Sequence, residues 1–157
     1  MALTSLPFLF PGDIFRSAMP YSSYDPKGRL INDYKKNKIS IVVMLAEREE
    51  AKRITGRDLV DEYQLQSFEL INLPIRDFGV PDIATVRDTI LQVLLYSKQG
   101  DNIVIHCHAG VGRTGMIIAC LAKIGLGFSP DEAIRWVREY IPGAIEILKQ
   151  EELVRRI

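Results

Sequence analysis

The sequence predicts an α/β fold, with a mainly parallel central sheet of four to five strands flanked by helices on both faces. Short runs of apolar, mostly β-branched residues alternate with stretches of helical periodicity, and this alternation is typical of parallel sheets joined by crossover helices. Two runs, 40–45 and 103–106, are dominated by apolar residues, as expected of strands buried on both faces. The 157 residues contain no repeat or linker, so we expect a single domain over residues 1–157.

Two helices and one further strand are predicted between these two runs. The charged segment 47–53 predicts a solvated helix with ion pairs four residues apart, such as Glu49 with Arg53. The alternative is that Glu47 reaches the edge of the sheet. Residues 68–73 are a weaker strand candidate, which we expect to lie beside the strand 103–106 in the sheet. From Pro81 onward, apolar residues recur at helical spacing, which predicts a helix that connects these two strands.

Two helices are predicted after the strand 103–106. The first begins soon after that strand and ends at a pair of glycines. The second should span residues 130–140, because Ser129, Pro130 and Glu132 supply an N-cap, a proline at the first helical position and a capping box.

Charge and composition exclude several classes of protein. Twenty Lys and Arg against twenty Asp and Glu give a formal net charge of zero, so neither nucleic acid nor a membrane surface is an expected partner. Only two cysteines occur, which excludes a disulfide scaffold and fits a reducing cytosol. The N-terminal segment has no basic leader and no stretch is long enough to span a membrane. We expect a cytoplasmic monomer.

The segment His106-Cys-His-Ala-Gly-Val-Gly-Arg-Thr-Gly115 contains the pattern Cys-x5-Arg. Cysteine and arginine at this spacing are weak evidence alone, since chance supplies them in roughly one chain in ten of this length. With the flanking histidine, the three glycines and the hydroxyl after the arginine, the chance expectation falls to the order of one in ten million per chain. The segment joins a strand to a helix, at the sheet edge where α/β proteins bind ligands.

This loop suits a phosphate monoester as ligand. Its backbone is expected to curl so that N–H groups converge on one anion, and Gly110 and Gly112 permit the positive φ and close approach that this needs. The positive N-terminus of the following helix points to the same place. Arg113 closes the cradle, because a guanidinium bonds two phosphate oxygens at once and lysine does not. The expected phosphate-binding residues of the loop are His108, Ala109, Gly110, Val111 and Gly112.

Cys107 is the predicted nucleophile. A helix N-terminus and the nearby Arg113 stabilise a thiolate, and a thiolate beside a phosphate cradle favours in-line attack on phosphorus and a cysteinyl-phosphate intermediate. His106 is expected to orient the cysteine rather than to act as its base. Thr114 is expected to donate its hydroxyl to the sulfur and help it leave in the second step. Cys120 is expected to be structural.

The leaving oxygen needs a proton, so a carboxylic acid should lie at the same edge of the sheet. Asp77 fits this role, because it follows the strand 68–73 on a loop that Gly79 makes flexible. Asp82 is the alternative, but it directly follows a proline and is better explained as the carboxylate at a helix start. Phe78, beside the acid, is a candidate for stacking on an aromatic leaving group.

These residues resemble those of the cysteine-dependent protein tyrosine and dual-specificity phosphatases. Residues 106–115 look like the signature loop of that family, and nearly the whole chain is similar to its small single-domain members, the atypical dual-specificity phosphatases. The similar segments elsewhere are 16–20, 42–47, 74–77 and 142–146, with Gln150. The resemblance implies Cys107 as nucleophile, Arg113 as phosphate clamp and Asp77 as general acid.

Glu146 and Gln150 are expected to line the cradle on this resemblance alone. The loop departs from its relatives at His108, where tyrosine phosphatases often carry Ser and phosphoinositide phosphatases often carry Lys. Val111 replaces a second Lys that is common in the phosphoinositide enzymes. A loop without lysine disfavours a highly charged inositol substrate.

The expected activity is hydrolysis of phosphotyrosine in a phosphorylated protein or peptide, with no metal or other cofactor; whether phosphoserine and phosphothreonine are also substrates is left open by the sequence. The alternatives are a non-catalytic phosphate-binding module and a phosphatase of a non-protein substrate, either a phosphoinositide or an RNA 5′-phosphate. Residues 110–115 also match the G-x-G-x-x-G pattern of NAD-binding proteins. That interpretation is disfavoured, because no acidic residue ends a second strand about twenty residues later.

Overall fold

The computed structural model describes residues 3–157, which form a five-stranded sheet and seven helices. The elements in chain order are β1 (Thr4–Leu6), β2 (Ile14–Ser17), α1 (Arg29–Lys36), β3 (Ile39–Met44), α2 (Arg48–Thr55), α3 (Leu59–Leu65), β4 (Glu69–Asn72), α4 (Ile83–Lys98), β5 (Asn102–His106), α5 (Gly112–Leu126), α6 (Pro130–Tyr140) and α7 (Leu148–Arg156). The strand order is β1-β2-β5-β3-β4, and every neighbouring pair is parallel except β1 with β2. The predicted fold class is confirmed. Within these residues no helix is long and apolar enough to cross a membrane.

Helices cover both faces of the sheet. Ile41 and Val43 of β3 belong to a core shared with α4, α5, α6 and α7, whereas Val42 and Met44 belong to a core shared with α1, α2 and α3. Because successive strand residues point to opposite faces, both sets of positions must be apolar. This explains why β3 is apolar along nearly its whole length.

Several element boundaries agree with the sequence prediction. α6 spans the predicted residues 130–140, and its N-cap Ser129 accepts a hydrogen bond from the amide of Glu132. α5 ends at Gly127, whose φ of 73° is left-handed. β1, β2, α1, α3 and α7 were not predicted. All are short, with at most nine residues, so each offers little periodic signal.

The expected pairing of the strand at 68–73 with the strand at 103–106 is wrong. β4 pairs with β3, and β3 lies between β4 and β5. The sequence indicated only that a helix connects β4 to β5, and such a crossover can pass over an intervening strand.

Asp77 nevertheless reaches the edge of the sheet where β5 ends, because the chain beyond β4 crosses the end of β3. The amide of Ile75 donates to the carbonyl of Leu45 at 2.8 Å. The carbonyl of Ile75 in turn accepts a hydrogen bond from Arg113 at 2.9 Å. The segment that follows β4 is therefore fixed against both β3 and the start of α5.

Candidate active site

Cys107 lies at the carboxyl end of β5, just before the turn into α5. Its side chain is buried and lines a cavity of about 190 Å³. The other lining residues are Tyr24, Asp77, Phe78, His108, Ala109, Arg113 and Glu146. The structure thus places the predicted nucleophile, phosphate clamp and general acid in one cavity.

The loop over residues 108–111 directs carbonyl oxygens toward the β2 side. Arg16 donates from Nε and Nη2 to the carbonyl of Gly110 at 3.1 and 2.6 Å, and the amide of Met19 donates to the carbonyl of His108 at 2.8 Å. The loop's own N–H groups have no backbone acceptor among the described residues. Backbone N–H groups in the interior of a protein are normally paired. A loop that leaves several of its N–H groups without a backbone acceptor is therefore typical of an anion-binding nest.

Gly110 and Gly112 have different roles in the loop. Gly110 has a φ of 77°, and a Cβ there would overlap the carbonyl of Ser17. The expectation of positive φ is wrong for Gly112, which is the first residue of α5. A Cβ on Gly112 would instead overlap the carboxylate of Glu146. One glycine thus allows the turn, and the other leaves space for a side chain of the cavity wall.

The guanidinium of Arg113 is fixed by groups from outside the loop. Nη1 donates to Glu50 Oε1 at 2.8 Å and to the carbonyl of Ile75 at 2.9 Å, and Nη2 donates to Glu50 Oε2 at 2.9 Å. These bonds engage three of the five N–H groups of an arginine. The N–H groups that are left, on Nε and Nη2, form a planar fork of the kind that binds two oxygens of a phosphate group.

Glu50 is a site residue that the sequence analysis missed. The prediction of a solvated helix over 47–53 is wrong for this side chain, which is buried. Burial alone would lower the pKa of Arg113, but the hydrogen bond to Glu50 and the nearby charges of Cys107, Glu50 and Asp77 raise it above its ordinary value. The predicted pairing of Glu49 with Arg53 is also not observed, since Glu49 pairs with Lys52 at 3.4 Å.

One signal could have revealed Glu50. Ala51 and Ile54 lie three residues apart in α2 and mark its inward face, and Glu50 borders that face on a helical projection. A carboxylate beside an apolar stripe is a candidate for burial with a cationic partner, but nothing in the sequence identifies Arg113 as that partner.

His106 is fully buried and connects α3 to the backbone of Cys107. Its Nδ1 lies 2.9 Å from the carbonyl of Cys107 and its Nε2 lies 2.6 Å from the hydroxyl of Tyr63. Burial lowers the pKa of His106 to about 4, so the ring is neutral at pH 7. A carbonyl only accepts; Nδ1 therefore donates to Cys107, and Nε2 accepts from Tyr63. This geometry suits the expected orienting role.

The two candidate acids lie in different environments. Asp77 is 55% exposed, its Oδ1 accepts from the amide of Phe78 at 3.1 Å, and the same oxygen lies 3.3 Å from Arg113 Nη2. Asp82 is the N-cap of α4, and its side chain accepts from the amide of Thr85 at 3.1 Å. Asp77 lines the cavity with Cys107 and Asp82 does not.

Thr114 is buried in the first turn of α5, and its hydroxyl has no hydrogen-bond partner among residues 3–157. A buried hydroxyl without a partner destabilises a fold by roughly 1–3 kcal/mol. Its position one residue after Arg113 in the signature loop is compatible with a hydroxyl reserved for the cysteine sulfur or for a ligand.

Glu146 and Gln150 occupy different positions relative to the cavity. Glu146 lines it, whereas Gln150 is buried behind it and is not a lining residue. The Oε1 of Gln150 accepts from the amide of Glu146 at 2.9 Å. Gln150 thus holds the backbone of Glu146, and Glu146 adds a carboxylate to a cavity otherwise suited to anions.

Comparison with known proteins identifies the family. A family model described as "Polymorphic toxin system, DSP-PTPase phosphatase" matches residues 24–125. The chain is 38% identical over 84 residues to protein tyrosine phosphatase domain-containing protein 1 of Danio rerio. This alignment covers 54% of this chain and 12% of that protein. The chain is also 30% identical over 120 residues to cyclin-dependent kinase inhibitor 3 of Rattus norvegicus. This second alignment covers 75% of this chain and 57% of that protein. The chain thus spans little more than half of the second relative and far less of the first.

Solved structures share the fold of this chain. A kinase associated phosphatase with serine in place of its catalytic cysteine superimposes with a TM-score of 0.89 at 23% identity, covering 99% of this chain and 93% of the other. Tk-PTP in its active form gives a TM-score of 0.82 at 26% identity, with 99% and 97% coverage. This chain belongs to the DSP-PTPase superfamily of phosphatases. The resemblance to small dual-specificity phosphatases is confirmed.

Proposed function

We propose that this chain is a protein phosphatase that hydrolyses phosphotyrosine, together with phosphoserine or phosphothreonine, through a cysteinyl-phosphate intermediate. The observation that carries the proposal is the single cavity in which Cys107, Arg113 and Asp77 meet. The cavity lies where β5 ends and α5 begins, so the helix dipole adds to the charge of the arginine.

In the first step the thiolate of Cys107 attacks phosphorus in line with the ester bond. The P–O bond breaks as the S–P bond forms, and Asp77 donates its proton to the leaving oxygen. The Nε and Nη2 fork of Arg113 and the loop N–H groups bind the three non-bridging oxygens. They stabilise the charge distribution of the transition state more than that of the bound substrate.

In the second step a water molecule attacks phosphorus on the side opposite sulfur. Asp77, now a carboxylate, accepts a proton from this water, and the S–P bond breaks to release inorganic phosphate. Thr114 donates its hydroxyl to the departing sulfur, and His106 keeps the carbonyl of Cys107 turned away from it. The products are the dephosphorylated substrate and phosphate, and the starting thiolate is restored.

Aromatic side chains support an aryl phosphate as substrate. Tyr24 and Phe78 both line the catalytic cavity and are 42% and 56% exposed. Exposed rings at the mouth of a cavity offer apolar and edge-to-face contacts to a tyrosine ring. A phosphoserine would leave these surfaces largely uncovered, so we propose that phosphotyrosine is the preferred substrate.

Hydrolysis of p-nitrophenyl phosphate in the presence of EDTA tests the proposal. We expect wild-type turnover to persist in the chelator and to vanish in Cys107→Ser. Cys120→Ala is the matched control, because Cys120 is buried in α5 and burial raises the pKa of its thiol to about 12. Equal turnover in wild type and Cys107→Ser, or loss of activity in the chelator, would contradict the mechanism.

A non-protein phosphomonoester is the second candidate substrate. The fold is shared with PTPMT1, solved in complex with PI(5)P (TM-score 0.74, 20% identity), and with the PP-IP phosphatase SIW14 (TM-score 0.63, 19% identity). A panel of phosphopeptides, inositol phosphates and RNA 5′ ends separates the candidates by kcat/KM.

We further propose that the chain acts as a cytoplasmic monomer without a cofactor. Light scattering in EDTA tests the oligomeric state, and cell fractionation tests the compartment.

A further inference from the structure

A second cavity of about 480 Å³ adjoins the catalytic one. Its lining residues are Glu47, Glu50, Arg53, Ile54, Arg76, Asp77 and His108. Asp77 and His108 line both cavities. A substrate whose phosphate lies at Cys107 can therefore extend past these two side chains into the second cavity, which we call the side cavity.

The side cavity contains two arginines without a partner. Arg53 and Arg76 are exposed and form no ion pair or side-chain hydrogen bond within the part of the chain that the structure describes. Basic residues nearby on α2 behave differently, since Arg48 and Lys52 both pair with Asp58, at 2.7 and 3.5 Å. The guanidinium groups of the side cavity are thus available to a ligand.

The acidic groups of the side cavity only partly offset these charges. Both carboxylate oxygens of Glu50 are bonded to Arg113. The Oδ1 of Asp77 lies 3.3 Å from Arg113 Nη2, so its charge also faces Arg113. Among the lining residues this leaves the carboxylate of Glu47 against the two guanidinium groups of Arg53 and Arg76.

His108 supplies a polar contact on the wall between the two cavities. Its Nε2 is buried and has no hydrogen-bond partner among residues 3–157. Buried polar atoms are normally paired. A polar group of a substrate that passes from the catalytic cavity into the side cavity would pair with this nitrogen.

We propose that the side cavity binds a second negative group of a phosphopeptide substrate, either a carboxylate side chain or a second phosphate close to the phosphorylated residue. The proposal rests on the proposed function. The catalytic loop has no lysine, so Arg53 and Arg76 bind any negative charge that the substrate carries besides the reacting phosphate. Both arginines lie on one side of the site. That suits a peptide leaving the catalytic cavity in one direction better than a compact inositol ring phosphorylated on several sides.

Matched phosphotyrosine peptides test this inference. Three peptides differ only beside the phosphotyrosine, where they carry Gln, Glu or phosphoserine, and a soluble inositol bisphosphate forms the fourth arm. For the wild type we expect kcat/KM to rise roughly five- to tenfold from Gln to Glu, and further with phosphoserine. In Arg53→Gln and Arg76→Gln the anionic-to-neutral ratio should fall toward one. Arg156→Gln, at an exposed position in α7, removes the same charge elsewhere and should keep the wild-type ratio.

The outcomes separate this inference from the proposed function. If p-nitrophenyl phosphate is not hydrolysed, the proposed function fails. If it is hydrolysed but the wild type does not discriminate between Gln and Glu peptides, or the two arginine variants keep the wild-type ratio, the side cavity does not bind the second anion. If the arginines raise kcat/KM for the inositol bisphosphate more than for the anionic peptides, the assignment to peptides is wrong.

Discussion

Glu50 and Arg113 form a two-point ion pair, with N–O distances of 2.8 and 2.9 Å between side chains that are both buried. The pair joins α2 to α5 across the edge of the sheet. It determines which N–H groups of the guanidinium face the catalytic cavity. The proposed phosphate cradle therefore depends on a carboxylate that lies 63 positions away from the signature arginine.

Replacing this carboxylate should destabilise the fold. In Glu50→Ala the guanidinium of Arg113 stays buried without its partner, and breaking a buried pair in this way costs about 3–5 kcal/mol. We expect the urea unfolding midpoint to fall accordingly, and added vanadate to stabilise the variant less than the wild type, because the guanidinium is no longer held in the orientation that binds the anion. Glu49→Ala, one residue earlier and exposed, is the control. Equal stability of the two variants would show that the pair contributes nothing.

The signature loop could be predicted from the sequence because its chemistry imposes residue types at fixed local spacing. Cys107, Arg113 and the glycines between them lie within seven positions of one another. Asp77 could be chosen over Asp82 for a similarly local reason, since a carboxylate after a proline at a helix start is explained by capping. The structure bears out this capping, as Asp82 accepts from the amide of Thr85.

Contacts set by strand order could not be predicted. Glu50, Tyr63 and Arg16 each meet the site through tertiary packing, and no periodicity in the sequence reports which strand lies next to β5. Arg16 also illustrates why β2 was missed. The strand has only four residues, and one of them is the buried Arg16, which breaks the apolar pattern of the sequence. Arg16 is buried there because it donates a hydrogen bond to the carbonyl of Gly110.

Asp77→Ala should slow substrates according to their leaving group. Without the acid, p-nitrophenolate still departs readily, whereas the phenolate of a tyrosine peptide needs a proton. We expect kcat to fall roughly a hundredfold or more for phosphotyrosine peptides and much less for p-nitrophenyl phosphate, with loss of the basic limb of the pH–rate profile. Steady-state kcat values for both substrates between pH 5 and pH 8 measure the leaving-group dependence and the shape of the pH–rate profile.

The matched control is Asp82→Ala. It should cost about 1 kcal/mol of stability, because it removes the N-cap of α4, and it should leave the leaving-group dependence unchanged. If Asp82→Ala flattens the pH profile and Asp77→Ala does not, the general acid is misassigned.

His106 should make the fold sensitive to mild acid. Its folded pKa is about 4, below the ordinary value near 6.5, so the unfolded chain binds more protons between these two pH values. Its contribution to stability is therefore fully present above pH 6.5 and decreases as pH falls toward 4. From pH 7 to pH 5 we expect the free energy of unfolding to fall by about 2 kcal/mol through this group.

Urea titrations at several pH values measure this effect. In His106→Asn the slope of stability against pH should be lost in this window, because asparagine does not titrate. His108 is the other histidine of the chain, and His108→Asn serves as the control. An unchanged slope in His106→Asn would mean that the acid sensitivity comes from other groups.

Glu146→Gln should tighten the binding of phosphate-like anions. Glu146 lines the same cavity as Cys107 and Arg113, and its carboxylate opposes a dianion there. Glutamine has nearly the same shape, so it fits the space beside Gly112 without the charge. We expect vanadate to bind roughly three- to tenfold more tightly at low salt, with the gain shrinking at high salt. Glu152→Gln, exposed in α7, makes the same change in net charge elsewhere and is the control.

Calorimetric titration with vanadate measures the affinity, and steady-state kinetics shows what the carboxylate contributes. If repulsion by Glu146 speeds the release of inorganic phosphate, Glu146→Gln lowers kcat and KM together, because product then remains bound for longer. Vanadate binding no tighter than in Glu152→Gln would contradict the repulsion. It would mean that the Glu146 side chain is turned away from the cavity when the anion is bound, since a carboxylate that faces a bound anion must weaken its binding.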